Sequence, residues 1–172
     1  MSLEEVPRLR ALAHPLRLQM LSLLTGAAMS ATEVADELGI THANASYHLR
    51  QLASAGVVDV SDGEVVRGGR VRRYRYDPAK PVASGTGEVS PGEEAFLYAV
   101  AGELQRRAAK LAAFGQTTDA ELWVTPDVWS EVTQRVHEAS LFLHQSAQPP
   151  RTPGTVRTNT TIAMFTMLDE GK

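Results

Sequence analysis

One stretch constrains this chain more than any other. It runs from Ala31 to Tyr76 and is centred on THANASYHLRQLASAG, Thr41 to Gly56. ATEVADELGI precedes it; VVDVSDGE and VVRGGRVRRYRY follow. The spacing predicts a helix ending at Leu38, then a tight turn at Gly39, where glycine takes positive φ at little cost. Ile40 drops into the core, and a second helix follows, capped by Thr41 and ended by Gly56. A two-stranded hairpin completes the stretch. At 100° per residue the second helix divides cleanly. Ala45, Leu49 and Leu52 point inward, with Ala53 and His48 at the margins. Ala43, Tyr47, Arg50 and Ser54 point outward, flanked by Asn44, Ser46 and Gln51. The outward face carries no acid, and its arginine, phenol, amides and hydroxyls are groups that reach phosphates and base edges. In isolation a solvated helix face would look the same. The basic hairpin behind it favours nucleic acid, because a helix-turn-helix followed by such a hairpin is the winged-helix pattern, whose second helix enters the major groove.

Several motifs in order give the first 80 or so residues a family likeness. AHPLRLQMLSLL (Ala13–Leu24) carries Pro15, Arg17 and Leu21 in a Pro-x-Arg-x-x-x-Leu pattern. Ser46, His48, Leu49, Leu52, Ala55 and Gly56 follow in a Ser-x-His-Leu-x-x-Leu-x-x-Ala-Gly pattern, and Gly69, Arg70, Tyr74 and Tyr76 close the hairpin. This resembles the ArsR-type winged-helix regulators. The resemblance implies a homodimer that binds double-stranded DNA and represses by blocking promoter access.

Net charge looks wrong for such a partner, at −3 overall. Its distribution answers part of the objection. Residues 1–80 hold ten basic and nine acidic side chains, whereas 81–172 hold seven and eleven. Arg67 to Arg75 contains five arginines and no acid. Phosphate neutralisation is local, so one concentrated stripe suffices. With 43% hydrophobic residues the chain can bury a sizeable core. The absence of cysteine excludes disulfides and thiolate metal sites. No apolar run approaches a membrane span and MSLEEVPRLR is no signal peptide, so a cytoplasmic protein is expected.

Along the chain, helices are expected over Leu3–Ala13 and Leu16–Leu24, separated by His14-Pro15, since the residue before proline disfavours the α region. Ser30 and Glu33 form a capping box for the next helix. Val57–Val60 and Val71–Tyr76 are the hairpin strands, with the turn inside Ser61–Gly69 and the tyrosines inward. This makes 1–80 a winged-helix domain, 81–92 a linker rich in Pro, Gly and Ser, and 93–172 a domain for dimerisation and effector binding. A long helix to about Phe114 opens on Ser90, Pro91 and Glu93, and Leu97, Val100, Leu104, Ala108 and Leu111 form a stripe that needs a partner. A strand at Glu121–Val124, a helix from Thr125 to about Gln145 and a two-faced strand at Val156–Leu168 follow. The fold class is therefore α+β: an N-terminal winged helix-turn-helix, then a small α-β-α-β domain.

The candidate DNA contacts are Thr41, His42, Ala43, Asn44, Ser46, Tyr47, Arg50 and Gln51 on the helix, with Arg67, Arg70, Arg72 and Arg73 on the wing. His48 reads as a satisfied structural imidazole at the core edge. His137 and His144 stand two helical turns apart, about 10 Å, too far to bind one ion together. A metal site could form only across subunits, with Glu138 helping. Ordinary surface or core-edge histidines are the expected reading, so neither a metal site nor a cofactor is expected. Trp123, Trp129, Phe142 and Phe165, with Met164 and Met167, read first as plain core, with a small-molecule effector pocket as the alternative. No phosphate loop, HExxH, GxSxG or cysteine nucleophile is present, so no enzyme is expected. The alternative function is a winged-helix interaction module that binds no DNA; the arginine-rich wing argues against it.

Overall fold

The structure is a computed structural model that describes residues 5–66, 69–80, 91–113 and 115–168. Helix α1 spans Glu5–Leu12 and buries Leu9 and Leu12. Helix α2 spans Pro15–Gly26, and His14 caps it: its Nδ1 accepts from the Leu16 N–H at 3.2 Å. Helix α3, Ala31–Leu38, has the full reciprocal capping box, Ser30 with Glu33. Gly39 ends it at φ 65°, in the left-handed region. Helix α4, His42–Ser54, starts on Thr41, whose hydroxyl accepts from the Asn44 N–H at 3.2 Å, and Gly56, again at φ 65°, turns the chain out.

Strands β1, Val58–Val66, and β2, Gly69–Tyr76, pair antiparallel, with Val58 opposite Tyr76 and Val66 opposite Gly69. Strand β1 runs farther into the Ser61–Gly69 stretch than expected, to Val66, and the connection between the strands falls inside that stretch, at residues that lie outside those described. A register shift between Asp62 and Val65 lets the ladder continue. Gly63 lies in that shift, where an added Cβ would stand 2.8 Å from the Val71 carbonyl. Met29, between α2 and α3, pairs with Tyr74 through two backbone bonds of 3.0 and 2.9 Å. That bridge ties the hairpin to the helices.

Leu12, Met20, Leu24, Val34, Leu49, Leu52 and Tyr74 form one core with Val57 and Val58. Each fully buried leucine there contributes roughly 1.5–3 kcal/mol.

Helix α5, Pro91–Ala108, begins within the expected linker and stops short of Phe114. It packs on α1 and α2, burying Ala99 and Glu103, with Phe96 against the common core. Helix α6, Pro126–Gln145, touches α2 and has no buried residue. Among the described residues, the two segments expected as strands, Glu121–Val124 and Val156–Leu168, are not laddered. Neither segment makes a backbone hydrogen bond to another described residue. Alternation supplies a face, but a strand also needs a neighbour, and none pairs with either segment among the described residues. Among the described residues no helix is long and apolar enough to cross a membrane.

Candidate nucleic-acid interface

The inner side of α4 is pinned. Ala45, Leu49 and Leu52 have no exposed surface, so the opposite side has to face out. Thr41, His42, Ala43, Asn44, Tyr47, Arg50 and Gln51 are exposed and Ser46 half-buried. Among the described residues the Arg50 guanidinium makes one long hydrogen bond, Nη1 to the Ser46 hydroxyl at 3.4 Å. Most of its donors therefore point to solvent.

The hairpin pleat places Arg70, Arg72 and Tyr74 on one face. Near the core that face buries Tyr74; farther out, the arginines of the same face are exposed. They border a groove of about 270 Å³ whose other wall is His42, Ser46 and Arg50, with Ser30, Ala31 and Thr32 at the base. No acid lines it. Arg70 pairs with Asp62 at 3.1 Å, both well exposed, and such a pair is worth at most about 1 kcal/mol. Arg72 makes no ion pair among the described residues.

Arg73 is a correction. It lies on the opposite pleat and turns to the body of the protein, donating to the Ala28 carbonyl at 2.6 Å and to Glu33 at 3.1 Å. Glu33 is thereby held by three groups. Burial pushes its carboxyl up, but the Ser30 N–H and hydroxyl and the Arg73 charge outweigh that and hold it low. Arg73 is a structural clamp between β2 and the start of α3. Arg67 lies outside the described residues.

His48 is also corrected in part. It is buried, but its Nδ1 finds no hydrogen-bond partner. Its ring stands 4.7 Å from that of His14 and 5.1 Å from that of Tyr47. Burial, then the His14 and Arg17 charges, lowers its pKa; His14 is lowered likewise by burial and Arg17. The Arg17 Nε is buried without a partner as well.

The expected dimer stripe is not the buried side of α5. Leu97 and Val100 are half-buried and Leu104, Ala108 and Leu111 exposed, while the neighbouring face, with Ala99 and Glu103, is the one covered by α1 and α2. Polarity hid that face. Glu103 is 2% exposed yet satisfied by Gln19 at 2.9 Å and Arg106 at 2.7 Å. The four aromatics named for an effector pocket are not enclosed. Trp123, Phe142 and Phe165 are 91%, 74% and 58% exposed, and Trp129 is half-buried.

Three contributors escaped the sequence reading. Ala31 and Thr32 line the groove, and the Ser30 capping box was the signal that placed them at a helix start beside it. Met29 anchors the hairpin through a bridge too short to leave any periodicity.

With this geometry in view, residues 12–61 match a family described as a helix-turn-helix domain. That segment is a helix-turn-helix domain. It contains α2, α3 and α4 whole, and it supports a DNA-binding regulator. No curated protein matches the chain.

Proposed function

We propose that the chain is a sequence-specific transcriptional regulator of ArsR type, a repressor that acts in the cytoplasm as a homodimer on double-stranded DNA. Helix α4 is the reader in the major groove. The hairpin is the wing, and Arg70 and Arg72 follow phosphates or the minor groove. The observation that carries this reading is the acid-free groove into which α4 delivers His42, Ser46 and Arg50 and the wing delivers Arg70 and Arg72. Local positive charge of this kind offsets the chain's net acidity. The reading assigns no catalytic step. A small-molecule effector would have to bind where Trp123 and Phe142 become covered, since one chain leaves them open.

Selection of bound duplexes from a random pool tests the proposal, followed by titration of Arg50→Ala on the selected and scrambled sequences. Arginine paired bidentately with guanine gives about 1–3 kcal/mol of discrimination. The variant should lose that much on the selected duplex and far less on the scrambled one. An unchanged specificity ratio would remove α4 as the reader. No retardation of any duplex at low salt would return the domain to protein interaction.

A further inference from the structure

The C-terminal arm, residues 115–168, is tied to the body but encloses nothing. Gly26 sits so close to it that an added Cβ would stand 2.4 Å from the Gln148 carbonyl oxygen. Arg151 pairs with Glu37, and Arg107 donates to Asn159 at 3.0 Å. Yet no residue of the arm is buried. Leu122, Trp123, Phe142 and Leu168 are 75%, 91%, 74% and 91% exposed.

We propose that a second copy of this chain covers the arm. The copies pack the exposed apolar residues of α6, Val128, Val132 and Leu143, against one another and lay their unpaired segments, Glu121–Val124 and Val156–Leu168, into a shared sheet. This deepens the two-fold reading above and rests on it only for the number of copies.

Three observations converge on that occupant. The first is area. An 18.6 kDa chain exposes 12648 Å², whereas a compact monomer of that mass exposes about 8,200 Å². The excess of about 4,400 Å² per chain is more than the ~1,000–2,500 Å² that each partner buries in an obligate dimer, so the chain exposes surface enough for one. The second is charge. From Thr158 to Leu168 there is no charged side chain, so the segment meets no like charge when laid against its own copy. A partner chosen by charge complementarity would find nothing there to read. The third is chemistry. An uncharged, alternating, unpaired segment is an aggregation hazard unless its edge is covered. The one cover present at the right stoichiometry wherever the chain is made is the chain itself.

The two tryptophans, Trp123 and Trp129, both lie in the arm and report on it directly. Sedimentation velocity and tryptophan emission are followed through a dilution series of the full chain without DNA. The expected result is a dimer with blue-shifted emission that moves red in step with dissociation. The double variant Ile162→Asp, Phe165→Asp should weaken the dimer by at least about 100-fold. Its far-UV signal and unfolding midpoint as a monomer should match those of dissociated wild type, because both positions are exposed in one chain. A monomer at tens of micromolar overturns the inference. So does a dimer whose tryptophans stay water-exposed, and so does a monomer with blue emission, which would mean that the arm closes on its own chain. A monomer that still retards DNA would sink this inference and leave the DNA reading intact; a dimer that retards none would do the reverse.

Discussion

Arg72 and Arg73 are neighbours in β2 with the same charge, and the pleat sends them to different tasks. Arg72 faces the groove beside α4; Arg73 clamps the Ala28 carbonyl and Glu33. Arg72→Ala should flatten the slope of log K against log salt by about 0.9, one phosphate contact, and leave the melting midpoint nearly unchanged. Arg73→Ala should instead cost about 1–2 kcal/mol of stability, less than a fully buried charged hydrogen bond because Arg73 and Glu33 are each well solvated. Equal salt slopes and equal unfolding midpoints in the two variants would show that the distinction is false. A second residue-scale effect concerns His14 and His48, 4.7 Å apart and facing Arg17 and Tyr47. Burial, reinforced by neighbouring positive charge, lowers both pKa values below 6.5. The unfolded chain therefore takes up these protons first. Stability is at its full value above the unfolded pKa and falls as pH drops through 6.5 towards the lower folded pKa. Denaturant unfolding of wild type and His48→Gln, between about pH 7.5 and 5, reads this. Wild type should lose more, and parallel curves would refute it.

At the scale of elements, the docking of α5 hangs on one buried carboxylate. Glu103 accepts from Gln19 on α2 and is flanked on its own helix by Arg106 and Arg107. Burial pushes its pKa up, but the Arg106 and Gln19 hydrogen bonds and both arginine charges win, and it lies below the usual 4.5. Removing it strands partners that are partly solvated. Glu103→Ala should cost about 2–3 kcal/mol and Glu103→Gln about half as much, since the amide oxygen can still accept from Gln19. Because the folded pKa is depressed, the wild-type advantage is present above pH 4.5 and is lost as pH falls through the folded value. Hydrogen exchange across α5 should quicken in the alanine variant; unchanged protection would mean that Phe96 and Ala99 suffice. This carboxylate also explains why the apolar stripe on α5 did not mark the face that α1 and α2 cover. A helical wheel counts a glutamate as a solvent residue, and Glu103 is core because Gln19 and Arg106 satisfy it.

At the scale of the molecule, the proposed homodimer with α4 as its reader implies two half-sites per operator. Duplexes with inverted half-sites about one helical turn apart, 10–10.5 bp, should bind two chains together, and adding about 5 bp should abolish the joint complex by turning one site to the opposite side of the helix. Gel retardation with measured stoichiometry decides this. A complex indifferent to spacing would mean that the two readers are not held in a fixed frame.

Local rules determined the N-terminal half. Caps at Ser30 and Thr41, left-handed glycines at 39 and 56 and the inward row of Ala45, Leu49 and Leu52 act within a few residues, so α3, α4 and the outward face of α4 could be read directly from the chain. Tertiary structure decided what depends on distant neighbours. Which wing arginine faces the groove turned on Glu33 and the Ala28 carbonyl, 40 and 45 residues away. Which side of α5 is buried turned on Gln19, 84 residues away. The segments at Glu121–Val124 and Val156–Leu168 have the pattern of strands without the partner that makes one. Periodicity is a property of one segment, whereas pairing is a property of two, and that second term is absent from any local reading.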